Sequence, residues 1–352
     1  MASEPNRAST MSDLVLRVAE KLGIAEYTSA GLIHVPTDQF NLNLCKRYIN
    51  NGIRMFMADA PRKGWRWMRR LMTVTFDATG AGVDNIGADA ARYMLAADFS
   101  GTVDGPIKYD ADTSVGTKIK WCDESEIRAR RAIAVNTGIP ILAAIRPYQP
   151  TDEALSATRL WEMIVDPAPD SAYVVKFPYT LHFDKMDLEA GVADAGTGAD
   201  NLTDGARTEG DDYFNDWVIR IVAGTGLGSY ALVDNYTGAS GKFDIVADDW
   251  LTSAGAPGGT HPAADSIYVV QPAANLHPAG HQFDDAIESA CLARTEMESQ
   301  DEHMDTFWSD YYHKKALRNA FAVDMRSAPR TLGPMLNGPA LPRGRSFNNV
   351  TY

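Results

Sequence analysis

The chain has 352 residues, of which 45% are hydrophobic, 9% aromatic and 22% charged. That is enough apolar material for a packed core, and it excludes the signature of intrinsic disorder. With 33 Lys plus Arg against 46 Asp plus Glu the net charge is −13, which argues against the chain as a whole wrapping nucleic acid, because phosphate contact needs cations.

Cys45, Cys122 and Cys291 are too few and too scattered for a disulfide scaffold or a zinc cluster, and they suit a reducing compartment. No apolar run reaches the ~18 residues of a membrane span, and residues 1–10 lack the pattern of a signal peptide. The expectation is a protein that is neither secreted nor embedded in a membrane.

Two helices open the chain. Ser12 and Asp13 can cap the first, which carries Leu14, Val15, Val18 and Leu22 and ends at Gly23. The second starts at Thr37 or Asp38 and places Phe40, Leu44, Tyr48, Ile53 and Phe56 at helical spacing before Pro61 and Gly64 close it. Short strands follow: 72–76, 91–95, 107–109, 118–121 and 141–145. Runs 159–165 and 173–177 read as a hairpin across Asp166-Pro167-Ala168-Pro169-Asp170.

From 181 to 273 the composition changes. Fifteen acidic residues face four basic ones, so this segment holds −11 of the net charge, and it is rich in glycine. Its β-branched and aromatic runs at 217–222, 230–235, 243–246 and 267–271 are separated by glycine turns, which predicts an inserted all-β domain. From Phe283 to Met325 a helical stripe runs through Ile287, Cys291, Met297, Met304, Trp308, Leu317 and Phe321. One helix of that length would span ~60 Å and need neighbours along all of it, unless it kinks or divides near His313. Residues 326–352 hold Pro329, Pro334, Pro339 and Pro342 and four arginines with no acid, so the segment either stays unfolded or docks on a partner.

The predicted class is therefore α+β, with a helical core (N-terminal helix pair and long C-terminal helix), an antiparallel β region and an inserted all-β domain. The expected segments are 1–180, 181–273, 274–325 and 326–352.

Candidate chemistry is sparse. Gly224-Thr225-Gly226-Leu227-Gly228 is followed by a strand rather than a helix, which favours a hairpin turn over a phosphate loop. His277 and His281 are separated by proline and glycine, and His303 and His313 stand ten residues apart, so neither pair has metal-ligand geometry. Asp211, Asp212, Asp244, Asp248 and Asp249 match no calcium loop. No nucleophile elbow occurs. The expectation is a protein that is not an enzyme, with no cofactor and no metal.

Lys46, Arg47, Arg54, Arg62, Lys63, Arg66, Arg69 and Arg70 are interleaved with Trp65 and Trp67. Three readings stand side by side. The tryptophans can anchor a core with the arginines paired, the set can hold single-stranded nucleic acid, or it can meet an acidic partner subunit.

The N-terminal helix pair, then Gly64-Trp65-Arg66-Trp67-Met68 and a strand, then Tyr93-Met94-Leu95-Ala96-Ala97-Asp98-Phe99, close to a "Y-x-L-P-x-D-F" phrase, form a familiar order. With the C-terminal helix after His277-Pro278, Ala290-Cys291-Leu292-Ala293 and Trp308-x-x-Tyr311-Tyr312, it resembles the head-to-tail connector (adaptor) proteins of tailed bacteriophages. Ala96 stands where that phrase has proline. The stretches Thr203–Arg207, Asp211–Phe214, Gly224–Gly226 and Tyr236–Gly238 resemble a small β module of phage virion proteins.

The resemblance implies a structural virion protein at the head–tail junction, assembled in the host cytoplasm into a homo-oligomeric, twelve-fold ring. Portal protein and tail or neck proteins would be its partners. Genomic DNA would pass through the ring without sequence-specific binding. Arg326, Arg330, Arg343, Arg345, Phe347 and Tyr352 become candidates for docking on portal or a neighbour. Arg62, Lys63, Trp65, Arg66, Trp67, Arg69 and Arg70 form a candidate contact patch. A tail stopper or terminator in the neck, and a decoration protein whose β insert recognises glycan or another surface, are the alternatives.

Overall fold

The structure, a computed structural model, describes residues 9–325 apart from 29–30, 62–63, 83, 87–88, 111–117, 135, 149–159, 184, 247–249, 274, 278 and 300–305. Helix α1 (Met11–Leu22) starts two to three residues earlier than Ser12 and Asp13 suggest as caps. Thr10 and Asp13 form a reciprocal capping box instead, and Gly23 closes the helix at φ 73°. After a two-stranded ribbon, β1 (Glu26–Tyr27) with β2 (Ile33–His34), helix α2 (Gln39–Ala58) begins on the side chain of Asp38. Its buried stripe is Leu42, Cys45, Ile49, Ile53 and Phe56.

Two compact units divide the chain: Gly64–Asp184, and Met1–Lys63 with Lys185–Tyr352. The first is a sandwich. Its strands are β3 (Arg69–Phe76), β4 (Asn85–Ile86), β5 (Asp89–Met94), β6 (Phe99–Val103), β7 (Lys108–Tyr109) and β8 (Lys120–Trp121). After α3 (Glu124–Ile133) come β9 (Leu142–Pro147), β10 (Trp161–Asp166) and β11 (Tyr173–Leu181).

One sheet has the order β4-β5-β10-β9-β8, and the other β3-β11-β6 with β7 also on β11. The expected hairpin of 159–165 with 173–177 is thus not formed: β10 pairs with β5 and β9, and β11 with β3, β6 and β7. The proline-rich link carries the chain from one sheet to the other, because both strands have inward faces to bury against opposite layers. Phe76 meets Tyr93 at 4.8 Å and Trp121 meets Phe177 at 5.3 Å between ring centres in the shared core. The phrase 93–99 has a packing role: Tyr93 and Phe99 are buried, and Asp98 Oδ2 accepts the Tyr179 hydroxyl at 2.9 Å.

The acidic region forms one sheet, β12 (Glu189–Val192), β13 (Asn201–Thr203), β14 (Trp217–Ala223), β15 (Tyr230–Thr237), β16 (Lys242–Ile245) and β17 (Ile267–Pro272), in the order β12-β17-β14-β15-β16-β13. Phe214, Tyr236, Phe243 and Tyr268 pack in its core with ring centres 4.8–5.4 Å apart. The compact units do not follow the composition boundaries. This sheet belongs with the helices, and 64–184 is the segment that separates.

The single C-terminal helix expected over 283–325 is at least two helices. Helix α4 (Asp284–Glu298) stops at extended Ser299, and α5 (Phe307–Tyr311) restarts the path. A π-helical turn over Tyr312–Ala316 then joins α5 to α6 (Leu317–Asp324). The break has a visible cause. Glu296 Oε2 accepts the backbone N–H groups of Trp308 at 2.9 Å and Ser309 at 3.2 Å, capping α5 from α4. A continuous helix would leave no free N–H there. Helix α4 is buried almost all round, and its small residues Ser289, Ala290, Cys291 and Ala293 let α2 come close.

Candidate functional site

The basic and aromatic stretch read from the sequence is split by the fold. Trp65 is buried, Arg66, Trp67 and Met68 form a 3-10 turn, and Arg66, Arg69 and Arg70 are exposed. Trp65 precedes the turn and Trp67 lies within it, so neither stands in a strand. Arg69 Nε approaches Asp104 Oδ2 at 3.8 Å. Arg62, Lys63 and the docking candidates Arg326, Arg330, Arg343, Arg345, Phe347 and Tyr352 lie outside the described residues, as do His303, Asp248 and Asp249.

What the fold does assemble is centred on α2. Its 20 residues hold Lys46, Arg47 and Arg54 and not one Asp or Glu. On the inner side, Lys46 Nζ bonds Glu189 and reaches Asp187 Oδ1 at 2.8 Å, while Gln39 Nε2 donates to Glu189 Oε2 at 2.7 Å. Buried Arg207 continues the network. Its Nη1 donates to Glu189 Oε2 at 3.1 Å, its Nε to the Tyr268 hydroxyl at 3.0 Å and its Nη2 to the Ala190 carbonyl. Tyr268 in turn donates to Asp204 Oδ2 at 2.6 Å.

Burial opposes the charge of Arg207, yet Tyr268, Glu189 and Glu209 outweigh it and raise its pKa. Burial likewise lifts the Tyr268 phenol well above its usual range. Asp187 is held below the usual carboxylate range: burial works against ionisation, and Lys185 and Lys46 overcome it. Every charge in this group has a partner, so the network works as a clamp between α2 and the acidic sheet. Sequence reasoning counted Lys46 in the basic stretch 46–70 and did not connect it to Glu189, 143 residues away.

On the outer side of α2 lie two adjoining clefts. One, of about 550 Å³, is lined by Phe40, Asn43, Leu44, Arg47, Tyr48 and Glu298. The other, of about 240 Å³, runs on past Arg47 to Asn51 and Arg54 and is lined as well by Lys46, Asn50, Lys185, Met186 and Asp187, so it borders the clamp. Phe40 is 75% exposed. Arg47 Nε stands 3.9 Å from Glu298 Oε2, and Arg54 Nη1 donates to Asn51 Oδ1 at 3.4 Å. The absence of acids over 39–58 is the sequence signal for this face.

The remaining motifs are used structurally. The 224–228 loop turns β14 into β15, and Asp265 Oδ2 already accepts the Thr225 N–H at 3.1 Å. His277 Nε2 pairs with Asp284 Oδ1 at 2.7 Å. Asp211 Oδ1 accepts the Gly238 N–H at 2.8 Å, and Asp244 pairs with Lys242 at 2.8 Å. Burial pushes the Cys45 thiol up to about 12 and raises Cys291 too, which removes thiolate chemistry from both. Among the described residues no group of three His, Cys, Asp or Glu is placed to hold a metal ion. Among them, too, no helix is long and apolar enough to cross a membrane.

Comparison with models of known protein families and with curated proteins finds no match.

Proposed function

We propose that the chain is a structural subunit of a tailed bacteriophage particle, forming a ring at the head–tail junction beneath the portal and around the DNA exit channel. The observation that carries this reading is the set of large apolar side chains left uncovered on the helices: Phe40 at the start of α2, Phe307 at the start of α5 and Met325 after α6. Phe307 is 59% exposed and is flanked by Trp308 and Tyr311, whose rings lie 5.2 and 6.4 Å away. Trp308 and Tyr311 are half-buried beside it, and an exposed ring on such an aromatic bed is the kind of surface a neighbour covers in an assembled state. The resemblance in the phrase 93–99 and in the helix order supplies the kind of assembly.

In this reading the partners are portal, tail or neck proteins and further copies of the same chain, twelve to a ring. DNA passes through without being read. The experiment is imaging of particles in which this chain carries a label. Label at the junction between head and tail is expected, and label confined to the tail tip or capsid surface overturns the proposal.

A further inference from the structure

The outer face of α2 is built to take a partner that is acidic and carries an apolar side chain. Phe40, Arg47 and Arg54 recur every seven residues, so they lie in one line, with about 10 Å along the axis between the two guanidinium groups' backbones. Asn43, Leu44 and Asn51 fill the line between them, and the two clefts run along it. Among the described residues Arg54 meets no carboxylate.

The complementary surface is on the same chain. In the loop before β14, Asp211, Asp212, Tyr213 and Asp216 are exposed, and Asp234 of β15 is exposed beside them in the ladder, since Asp216 N–H donates to the Val233 carbonyl at 3.0 Å. No lysine or arginine occurs from 208 to 219.

The loop is held rigid. Asp212 and Asp216 sit at φ 64° and 66°, a left-handed region that aspartate tolerates better than most side chains. Asp212 N–H donates to Tyr236 O at 2.9 Å and Asn215 Oδ1 accepts the Tyr236 N–H at 2.8 Å. A surface fixed before contact loses little freedom on binding. Tyr213, 48% exposed with its ring against Phe214 and Trp217, offers the apolar side chain.

We infer that the Phe40–Arg47–Arg54 face of α2 docks the Asp211–Asp216 loop of a second copy of this chain. A second copy is favoured over nucleic acid, whose bases could stack on Phe40, because an acidic surface with an exposed aromatic is present on this same chain. The two surfaces differ, so the contact is head-to-tail and each copy keeps one of each free for the next, which closes as a ring or runs on as a filament. The inference rests on the ring reading and names its contact.

The test is a pair of full-length charge-swapped chains, R47E/R54E and D211K/D212K/D216K, studied by sedimentation velocity and negative-stain imaging at low salt. All five side chains are exposed, and circular dichroism checks that each variant folds. Because Asp211 also holds the Gly238 N–H and Asp212 and Asp216 sit at positive φ, D211N/D212N/D216N is run beside the swap. It removes the charge but keeps a side chain that tolerates that backbone, and it is expected to lose self-association too. Each swapped variant alone is expected to lose self-association by about tenfold or more, since like charges then face each other. An equimolar mixture is expected to regain it, because each swapped face finds its match on the other chain.

If both variants assemble like the wild type, the contact is elsewhere while the ring reading stands. If the wild type never associates, alone or with portal, both fail. Loss of DNA retention in R47E/R54E with assembly unchanged assigns the face to nucleic acid and overturns the inference.

Discussion

Gly52 of α2 lies against the backbone of Cys291 in α4: a Cβ at position 52 would stand 2.5 Å from Cys291 Cα and 2.7 Å from its nitrogen. The neighbour is the main chain of buried Cys291, so it cannot give way as a flexible side chain would. Gly52→Ala is expected to destabilise the protein by about 2 kcal/mol through overpacking, despite alanine's better helix propensity. Urea denaturation measures it, and a variant as stable as the wild type would show that the helices are not this close.

Glu162 of β10 is fully buried and held between Arg92, at 2.6 Å, and Arg146, which also reaches Glu124 at 3.0 Å. Removing the shared carboxylate leaves two partly buried guanidinium groups facing each other. Glu162→Ala is expected to lose about 3 kcal/mol, with Glu162→Gln losing less because it keeps one acceptor. Equal loss in the two variants would mean that packing, not charge, matters there.

Glu296 ties three helices: Lys21 of α1 lies 3.3 Å from its Oε1, and its Oε2 caps α5. Glu296→Ala is expected to cost about 1 kcal/mol, the scale of a lost helix cap. Hydrogen exchange at the Trp308 and Ser309 amides should quicken specifically. Unchanged protection at those two amides would refute the capping role.

His277 gives a pH dependence with a definite sign. Burial holds its imidazole below the ordinary value, although Asp284 pulls the other way. The unfolded imidazole titrates at about 6.5, so below that pH the unfolded chain binds more protons than the folded one. This contribution is complete above about pH 6.5 and is lost as pH falls toward the folded value. Urea midpoints taken from pH 5 to 8 should show that decline, and His277→Gln should flatten it. A variant that keeps the full slope assigns the decline to other groups.

Much of the local structure was legible from pattern alone. Asp38 and Gly23 mark helix ends, the alternation from Met72 to Phe76 continues β3, and the runs of the acidic region become β14 to β17. The α+β class follows from those same periods. The failures share a cause. The run 159–165 looks like a hairpin partner of 173–177 because turn residues join them, yet strand pairing depends on which layer each inward face can bury against. The stripe over 283–325 looks continuous because period says nothing about a carboxylate, Glu296, that folds back to cap the next helix.

The candidate face shows the same division. That α2 carries three cations and no acid is a property of the sequence, as is the −11 of residues 181–273. The sequence by itself determined how much charge there is, on which elements, and at what spacing along each helix or strand. Only the tertiary structure decided where that charge points. Lys46 pairs with Glu189 and Asp187 and welds α2 to the acidic sheet, while Arg47 and Arg54 stay exposed along the clefts beside it. Burial makes the difference: a charge enters the interior where a partner, brought from far along the chain, meets it, and every other charge is left at the surface.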